Sequence, residues 1–345
     1  MTSVDLGAAG SAMPTYSVVI PNYNHAHYLG AALQAYLSQT VPPLEIIVVD
    51  DASTDDSRDL VERVAASHPC VRLIRLERRV GVNGASNRGL RDARGDYVHI
   101  AAADDVALPS FAARSLELLR RHPAAGFCFS DPAELIDDRV RRFSLFLSNR
   151  PVMLLPSDVE FLMRRNMFTF SSATTVYRRD AFLSLGGFRE ELDWQADWFA
   201  NFALAFRYGA CYVPDVLVHF RLRADSYSAV GVRQASVQRD LTYRILDLLD
   251  SEDFRDVAPQ FRHSGLLPEL SSRALLWLLA SPRHRGYLTP VLAFRLLSRG
   301  FWSVFRPHTP VRLRRWARWL GGASTRRRLA ARRLAPPAGD EGQEG

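Results

Sequence analysis

Residues 44–51 read L-E-I-I-V-V-D-D, an apolar run that ends in two aspartates. A run of this length, rich in β-branched residues, is typical of a strand buried on both faces of a sheet. Further short runs of this kind occur at 17–20, 71–76, 97–101 and 126–130, and stretches with helical spacing separate them. Strands that alternate with helices predict an α/β fold with a mostly parallel central sheet.

Later segments alternate less regularly. We expect a strand at 168–177, a helix at 196–208, a strand at 216–221 and a helix at 232–249. The chain has 345 residues, of which 47% are hydrophobic and 23% charged, and this composition is typical of a globular protein. All 44 basic residues are Arg, so mechanisms that need a catalytic Lys are excluded.

The three cysteines and the first residues indicate the compartment. Cys70, Cys128 and Cys211 lie in apolar stretches without metal-type spacing, which is typical of buried thiols in a reducing environment. The N-terminal residues lack the basic and apolar segments of a signal peptide. We therefore expect a cytoplasmic protein.

Polar residues follow three of the predicted strands. They are Pro21, Asn22, Tyr23 and Asn24 after the first, Asp50 and Asp51 after the second, and Asp104 and Asp105 after the fourth. Ligands of open parallel sheets bind at the carboxyl ends of the strands, so these residues are candidates for one site.

Asp104 and Asp105 are adjacent carboxylates, which are costly to hold together unless a cation neutralises them. Mg²⁺ and Mn²⁺ prefer oxygen ligands and share them with phosphates, so this pair suits a metal–diphosphate group. The alternative is a pair that caps the helix beginning near Pro109. Asp51 can accept a hydrogen bond from a nucleotide base or ribose. The alternative is an ordinary helix N-terminus, which Ser53 and Thr54 can cap.

Four segments resemble, in order, those of the family 2 glycosyltransferases. They read Y-S-V-V-I-P-N-Y-N at 16–24, L-E-I-I-V-V-D-D-A-S-T-D at 44–55, G-V-N-G-A-S-N-R-G-L at 81–90 and G-D-Y-V-H-I-A-A-A-D-D at 95–105. The resemblance extends over about 16–228. It implies a GT-A fold, a Rossmann-like α/β/α sandwich that binds a nucleoside-diphosphate sugar and a divalent metal, Mg²⁺ or Mn²⁺.

The resemblance also implies roles for individual residues. Asp105 is the expected metal ligand, and donor contacts are expected from Pro21, Tyr23, Asn24, Asp50, Asp51, Asn83, Asn87, Arg88, Asp104 and Arg221. Many members of the family carry Arg where this chain has Ser86, so a basic contact to the donor is either missing or supplied by another residue such as Arg88.

The segment G-G-F-R-E-E-L-D-W-Q-A-D-W at 186–198 resembles the acceptor side of the family's site. Asp197 matches the acidic residue that serves as catalytic base, with Asp193 as second choice and Glu191 as third. A carboxylate near the acceptor hydroxyl would remove its proton in an inverting transfer. Trp194 and Trp198 are candidates either for sugar stacking or for core packing.

Arg221 and Arg223 follow the last predicted strand, where relatives often have Arg and His. Either can bind diphosphate oxygens or form salt bridges to the acidic body of the chain. His219 is a candidate metal ligand, with a packed strand histidine as the preferred interpretation.

The net charge of +7 is unevenly distributed, because fifteen Arg and no acidic residue lie between Glu269 and Asp340. We expect a flexible leader at 1–14, a catalytic domain at 15–250, a helical basic region at 251–335 and a disordered tail at 336–345. An amphipathic basic helix around 312–320 predicts contact with a membrane surface or packing on the core. No recognition motif for nucleic acid accompanies the charge.

The sequence therefore predicts an inverting glycosyltransferase that acts on a sugar, lipid-linked or small-molecule acceptor. The alternative is a catalytically decayed nucleotide-sugar-binding protein on the same fold, which the departures at Ser86 and Arg223 motivate. A nucleotidyltransferase is disfavoured, because P-N-Y-N-H-A follows the first strand instead of a Gly-rich basic loop.

Overall fold

A computed structural model describes residues 13–136, 139–165, 168–221, 235–267 and 274–293. Within them the chain forms ten strands of one sheet. The strands are β1 Tyr16–Asn22, β2 Glu45–Asp50, β3 Val71–Arg75, β4 Tyr97–Ile100, β5 Val106–Ala107, β6 Phe127–Ile136, β7 Arg139–Arg142, β8 Val152–Leu154, β9 Val176–Arg178 and β10 Ala210–Arg221.

Helices connect the strands and cover the sheet. They are α1 Ala26–Leu37, α2 Ser57–Ser67, α3 Gly81–Asp92, α4 Phe111–Arg121, α5 Pro156–Arg165, α6 Arg179–Ser184, α7 Ala196–Tyr208, α8 Ala235–Asp250, α9 Ala258–Ser264 and α10 Ala274–Ala280. Short 3₁₀ turns occur at Ser172–Thr174, Glu190–Gln195, Glu252–Phe254 and Pro282–Tyr287.

The strand order is β3-β2-β1-β4-β9-β6-β10-β5, with β7 paired to β6 and β8 paired to β10. Strands β1, β2, β3, β4, β6 and β10 run in one direction, and the other four described strands run opposite to them. The prediction of an α/β fold with a mostly parallel sheet is thus confirmed.

Both faces of the sheet are buried, as its apolar strands require. Val19 and Val49 pack into one hydrophobic cluster, and the residues directly before them, Val18 and Val48, pack into the other. This alternation arises because successive side chains of a strand point to opposite faces. The register pairs Asn22 with Asp50, so strands β1 and β2 end side by side, and it pairs Val19 with Ile100, so β4 ends three residues before the end of β1.

The described residues after 250 join the same core. Phe254 and Phe261 lie with ring centroids 4.9 and 5.7 Å from that of Phe199 on helix α7. Leu278 and Tyr287 belong to the same cluster. The domain boundary at 250 stays a prediction, and the basic segment from residue 294 onward lies outside the described residues.

The predicted strand at 168–177 is wrong over most of its length. Its described part contains a 3₁₀ turn at Ser172–Thr174, and only Val176–Arg178 forms a strand. The hydroxyls of Thr174 and Thr175 both donate to the Ser171 carbonyl oxygen. Such side-chain to backbone bonds stabilise a turn in place of a strand ladder.

Strands β6 and β10 are longer than expected, because they pair with each other beyond the apolar runs. Helix α8 begins at Ala235, and the first three residues of the helix expected at 232–249 lie outside the described residues. In the part of the chain that is described, no helix has the length and apolar character needed to cross a bilayer.

Gly89 lies where helix α3 meets strands β1 and β2. A β-carbon at this position would overlap the Val19 side chain and lie 3.1 Å from Val49 Cγ2. We expect Gly89→Ala to lower the free energy of unfolding, measured by urea denaturation, by about 1–3 kcal/mol, because the packed sheet must shift.

Gly30→Ala on helix α1 is the matched control, because the nearest atom there is Leu60 Cδ1 at 3.7 Å. This variant is expected to keep or raise the stability, by up to about 1 kcal/mol. Equal stability of Gly89→Ala and the wild type would contradict the close packing of helix α3 on the sheet.

Candidate functional site

Asp50 anchors the loops at the ends of strands β1 and β2. Its carboxylate is 1% exposed and accepts hydrogen bonds from Arg58 Nε at 2.6 Å, the Ser53 amide at 3.1 Å and Asn22 Nδ2 at 3.2 Å. These bonds use both oxygens of the carboxylate. Asp50 therefore supports the loops that carry the neighbouring site residues.

Asp51 holds the beginning of helix α3. Its two oxygens accept hydrogen bonds from the amides of Val80 at 2.7 Å and Gly81 at 2.8 Å, and the residue is 3% exposed. Gly81 has φ +83°, a conformation that favours glycine. A carboxylate at a helix N-terminus also interacts favourably with the helix dipole.

Tyr23 follows strand β1 and is covered by a residue that the sequence analysis missed. The guanidinium of Arg79 lies 3.9 Å from the centroid of the Tyr23 ring. Arg79 directly precedes the two residues whose amides bind Asp51, so it lies at the same rim. Its place in the loop before the Gly/Asn segment was the signal available in the sequence.

Asn24 lies in the loop after strand β1, and Pro21 lies within that strand, directly before its last residue, Asn22. Asn24 has φ +56°. Its backbone amide donates to Ser53 Oγ at 3.0 Å, and its side-chain Oδ1 accepts the Thr54 backbone amide at 2.8 Å. Pro21 pairs with Val49 inside the sheet and is half-buried. These contacts join the ends of strands β1 and β2 into one surface.

Helix α3 directs its polar residues toward the acceptor-side segment predicted at 186–198. Asn83 Nδ2 donates to the Asp193 carbonyl oxygen at 2.7 Å. Asn87 Nδ2 donates to the Phe188 carbonyl oxygen at 2.7 Å, and Asn87 Oδ1 accepts the Phe188 amide at 2.9 Å. The two asparagines therefore connect the predicted donor and acceptor segments.

Arg88 and Ser86 lie on different sides of the same helix. Arg88 is exposed and pairs with Asp92 at 3.2 Å within the helix. Ser86 is buried, and its hydroxyl donates to the Val82 carbonyl oxygen at 2.7 Å. Arg79 thus lies at the rim of strands β1 and β2, where it contacts Tyr23, whereas Arg88 is engaged along the surface of helix α3.

Asp105 lies in the segment between strands β4 and β5, directly before Val106, and is 5% exposed. Its Oδ1 accepts the Arg221 amide at 2.9 Å. Burial, together with the negative charge of Asp104, raises the pKa of the Asp105 carboxyl to about 7. A carboxylate in this environment gains stability when a cation binds next to it.

The donor set of this pair fits a hard divalent cation. Asp104 and Asp105 supply carboxylate oxygens, which are the ligands that Mg²⁺ and Mn²⁺ prefer. Among the described residues, no group of three or more His, Cys, Asp or Glu side chains could hold a metal.

Arg221 lies next to this pair at the end of strand β10. Its Nε donates to the Asp104 carbonyl oxygen at 3.4 Å, and its guanidinium lies 4.9 Å from the centroid of the Tyr28 ring. His219 is partly buried, and its Nε2 has no hydrogen-bond partner within the described residues. Burial and the charge of Arg142 lower the pKa of His219. Arg223 lies outside the described residues.

Asp197 lies in the first turn of helix α7. Its Oδ1 accepts the Trp198 amide at 2.7 Å, and its Oδ2 accepts the Ser172 hydroxyl at 3.1 Å. Burial raises the pKa of the Asp197 carboxyl, and these two hydrogen bonds lower it in part. A raised pKa brings a carboxylate closer to the range in which a general base is effective.

The turn before helix α7 is bent at Asp193, which has φ +52° and ψ −128°. This conformation is costly for a residue with a β-carbon and recurs at functional sites. Trp198 is buried with its ring centroid 5.3 Å from that of Phe202, so it packs in the core. Trp194 is partly exposed, and its Nε1 has no hydrogen-bond partner among the described side chains and backbone.

Comparison with known proteins places the chain in a family. Residues 17–186 match the model of glycosyl transferase family 2. An uncharacterized protein of Mycobacterium tuberculosis is 28% identical over 261 residues, which cover 72% of this chain and 81% of that protein. Several other curated relatives match over less than half of their own length.

Solved glycosyltransferase structures share the fold. Residues 1–349 of Staphylococcus aureus TarS, in complex with UDP-GlcNAc, align with a TM-score of 0.55 at 19% identity, covering 79% of this chain and 75% of that one. The mannosyltransferase PcManGT of Pyrobaculum calidifontis, in complex with GDP-Man and Mn²⁺, aligns with a TM-score of 0.53 at 21% identity, covering 91% and 87%. Residues 17–186 therefore belong to glycosyl transferase family 2, and the described chain has the GT-A fold.

Proposed function

We propose that the protein is an inverting, metal-dependent transferase that moves a sugar from a nucleoside-diphosphate sugar to an acceptor hydroxyl. The observation that carries this proposal is the set of acidic residues at the ends of strands β2 and β4, two strands that flank β1 in the sheet. The buried Asp105 has a raised pKa and the charge of Asp104 beside it, so a bound cation would relieve both.

The donor occupies the rim formed by the ends of strands β1, β2 and β4. Tyr23, Arg79 and Asp51 form the nucleotide end, and Asp104 with Arg221 forms the diphosphate and sugar end. Pro21, Asn24 and Asp50 support the rim through backbone and loop contacts. Asn83 and Asn87 line its floor, and Arg88 stays a candidate for a contact at the edge of the pocket.

Asp105 would hold Mg²⁺ or Mn²⁺ beside the donor diphosphate, and the bound metal would supply positive charge that stabilises the departing diphosphate. Two neighbouring folds support this assignment, since one solved structure holds GDP-Man with Mn²⁺ and another holds UDP-GlcNAc. Arg221 adds a second cation at the same end of the pocket.

Asp197 acts as the general base. It takes the proton of the acceptor hydroxyl while the oxygen bonds to the anomeric carbon, and the bond to the diphosphate breaks on the opposite side. The electron pair of that bond leaves with the diphosphate. Asp193 is second in order of preference, and Glu191, whose carboxylate pairs with Arg189, is third.

The acceptor is a sugar, a lipid-linked sugar or a small molecule. We place the enzyme in the cytoplasm, at the inner face of the membrane, with the Arg-rich C-terminal residues against anionic headgroups. The fifteen Arg between Glu269 and Asp340 and the exposed Leu276 and Leu279 on helix α10 support this placement. Nucleic acid is not an expected partner.

Turnover of nucleotide sugars tests the proposal. The protein, incubated with UDP-GlcNAc, GDP-mannose or a related donor and Mn²⁺, is expected to release the nucleoside diphosphate, measured by a coupled assay. A chelator and the Asp105→Asn variant are each expected to lower the rate by about 100-fold or more, because the leaving diphosphate loses its counter-charge. Asp215→Asn, which changes an exposed carboxylate, is the control.

Undiminished turnover in the presence of the chelator would contradict the metal role. Nucleotide binding without turnover of any donor, with or without acceptors, would instead support the binding protein on a decayed transferase fold. The product of a transfer is expected to have the inverted anomeric configuration by NMR, and retention would contradict Asp197 as a base acting on the acceptor.

Arg79 is expected to contribute directly to donor affinity. Arg79→Ala should weaken UDP binding in the presence of Mn²⁺ by about 10-fold, measured by isothermal titration calorimetry, because a cation at the nucleotide end is lost. Arg78→Ala is the matched control, since Arg78 is exposed next to it. Equal losses in both variants would show a general effect of charge and contradict a specific contact.

Membrane contact is tested with vesicles. We expect the protein to sediment with vesicles that contain phosphatidylglycerol, to stay in solution with pure phosphatidylcholine, and to be released as the salt concentration rises, because salt screens the attraction of Arg to anionic lipid. Identical sedimentation with both vesicle types would contradict the proposed placement.

A further inference from the structure

Asp197 belongs to a network of side chains from three elements. Ser172 Oγ lies 3.1 Å from Asp197 Oδ2, 3.1 Å from the Tyr177 hydroxyl and 3.1 Å from Asn201 Nδ2. The Tyr177 hydroxyl also lies 2.8 Å from Asn201 Oδ1. We call Ser172, Tyr177 and Asn201 the carboxylate cradle.

The cradle is built by local geometry. Asp197 and Asn201 are four residues apart on helix α7, so their side chains lie on one face. Ser172 lies in the 3₁₀ turn before strand β9, and Tyr177 lies on that strand. The Tyr177 ring stacks on Phe182 at 4.4 Å between centroids, and Asn201 is fully buried, which holds both polar groups in place.

The protons of the cradle can be assigned for the ionised state of Asp197. The Ser172 hydroxyl donates to the carboxylate, Asn201 Nδ2 donates to Ser172 Oγ, and the Tyr177 hydroxyl donates to Asn201 Oδ1. These assignments satisfy three of the four contacts. The Ser172–Tyr177 contact then has no proton between its oxygens, because each hydroxyl has a single proton.

When Asp197 is protonated, every contact can hold a proton. The carboxylic acid donates to Ser172 Oγ, the Ser172 hydroxyl turns to the Tyr177 oxygen, and the bonds from Tyr177 and Asn201 are kept. Ser172 uses both of its lone pairs and its single proton in this arrangement. The fixed backbone donor at Asp197 Oδ1 cannot change in this way, because an amide only donates.

We propose that the cradle positions Asp197 and lets it take up a proton without losing a hydrogen bond, through rotation of the Ser172 hydroxyl from the carboxylate to Tyr177. This inference rests on the proposed role of Asp197 as the base. Ser172, Tyr177 and Asn201 are positioning residues, which act on the acceptor proton through Asp197. The arrangement suits a base that is ionised before the transfer and protonated after it.

Charged groups lie on the elements around helix α7. In the preceding turn Glu190 lies near Asn87, Glu191 pairs with Arg189, and Asp193 binds Asn83 through its backbone carbonyl, which leaves its carboxylate as a further charged group. On helix α6, Asp180 pairs with Arg178, and Arg179 Nε has no hydrogen-bond partner among the described residues. On helix α5, Asp158 Oδ2 accepts the Leu155 amide, and Glu160 lies near Arg164 and His263. Tyr177 is thus the titratable cradle residue that faces Asp197, and burial raises its pKa.

Two substitutions should move the titration of Asp197 in opposite directions. Ser172→Ala removes a donor to the ionised form, where the hydrogen bond is stronger, so the pKa of Asp197 is expected to rise by about 0.5–1 unit. Tyr177→Phe removes the acceptor that the Ser172 hydroxyl needs in the protonated form, so the pKa is expected to fall by about 0.5 unit. The Phe ring keeps the packing on Phe182.

The measurement is a pH titration of the Asp197 carboxyl carbon by NMR in the full chain, with Asp197→Asn to assign the signal. Tyr287→Phe is the matched control, because it removes another buried tyrosine hydroxyl, which is bonded to Asp250, and should leave the titration unchanged. The acidic limb of the kcat/KM profile is measured on the same variants and is expected to follow the NMR values.

Shifts of the same sign in Ser172→Ala and Tyr177→Phe, or no shift in either, would overturn the cradle whatever the activity. If the NMR titration shows the predicted changes in the pKa of Asp197 but the kcat/KM profile is unchanged, the cradle is supported and the role of Asp197 as base is contradicted. The predicted pKa changes in both the NMR titration and the kcat/KM profile would support the cradle and the role of Asp197 as base.

Discussion

The fold buries carboxylates near the ends of its strands. The rest of the site depends on how each of these negative charges is compensated. Asp50 has Arg58 as a counter-charge, and Asp51 has two backbone amides. Asp105 is almost as buried but accepts a single hydrogen bond within the described residues, from the Arg221 amide, and has Asp104 beside it. The first two carboxylates hold loops together, and the third is left with a deficit of positive charge that a ligand can fill.

A second constraint connects the donor and acceptor halves of the site. Asn83 and Asn87 fasten helix α3 to residues 188–193, and Asp193 takes an unfavourable backbone conformation where it meets Asn83. Gly187 beside them has φ +73° and leaves no room for a β-carbon near Asn87. A change in helix α3 on donor binding would therefore reach the turn that leads to Asp197.

Much of the fold and the position of the site were predictable from the sequence. Buried apolar runs specify a parallel sheet, and ligands of such a sheet bind where its strands end. Strand ends indicated Asp51 and Asp105 as candidates, and the family resemblance of residues 186–198 indicated Asp197; their roles stay predictions. The partners of those residues were less accessible to sequence reasoning. Arg79 reaches Tyr23 across the rim from a distant position in the chain, and Ser172 meets Asp197 only because a turn replaces the strand expected at 168–177. Tertiary contacts decide both features, and local patterns do not encode them.

We propose above all that Asp105 binds a divalent metal ion together with the diphosphate of the donor. Calorimetric titration of UDP into the protein, with and without Mn²⁺, measures this coupling most directly. The account predicts that Mn²⁺ strengthens UDP binding to the wild type by about 10-fold or more and has little effect on Asp105→Asn. Equal UDP affinity with Mn²⁺ and with a chelator in the wild-type protein would contradict it.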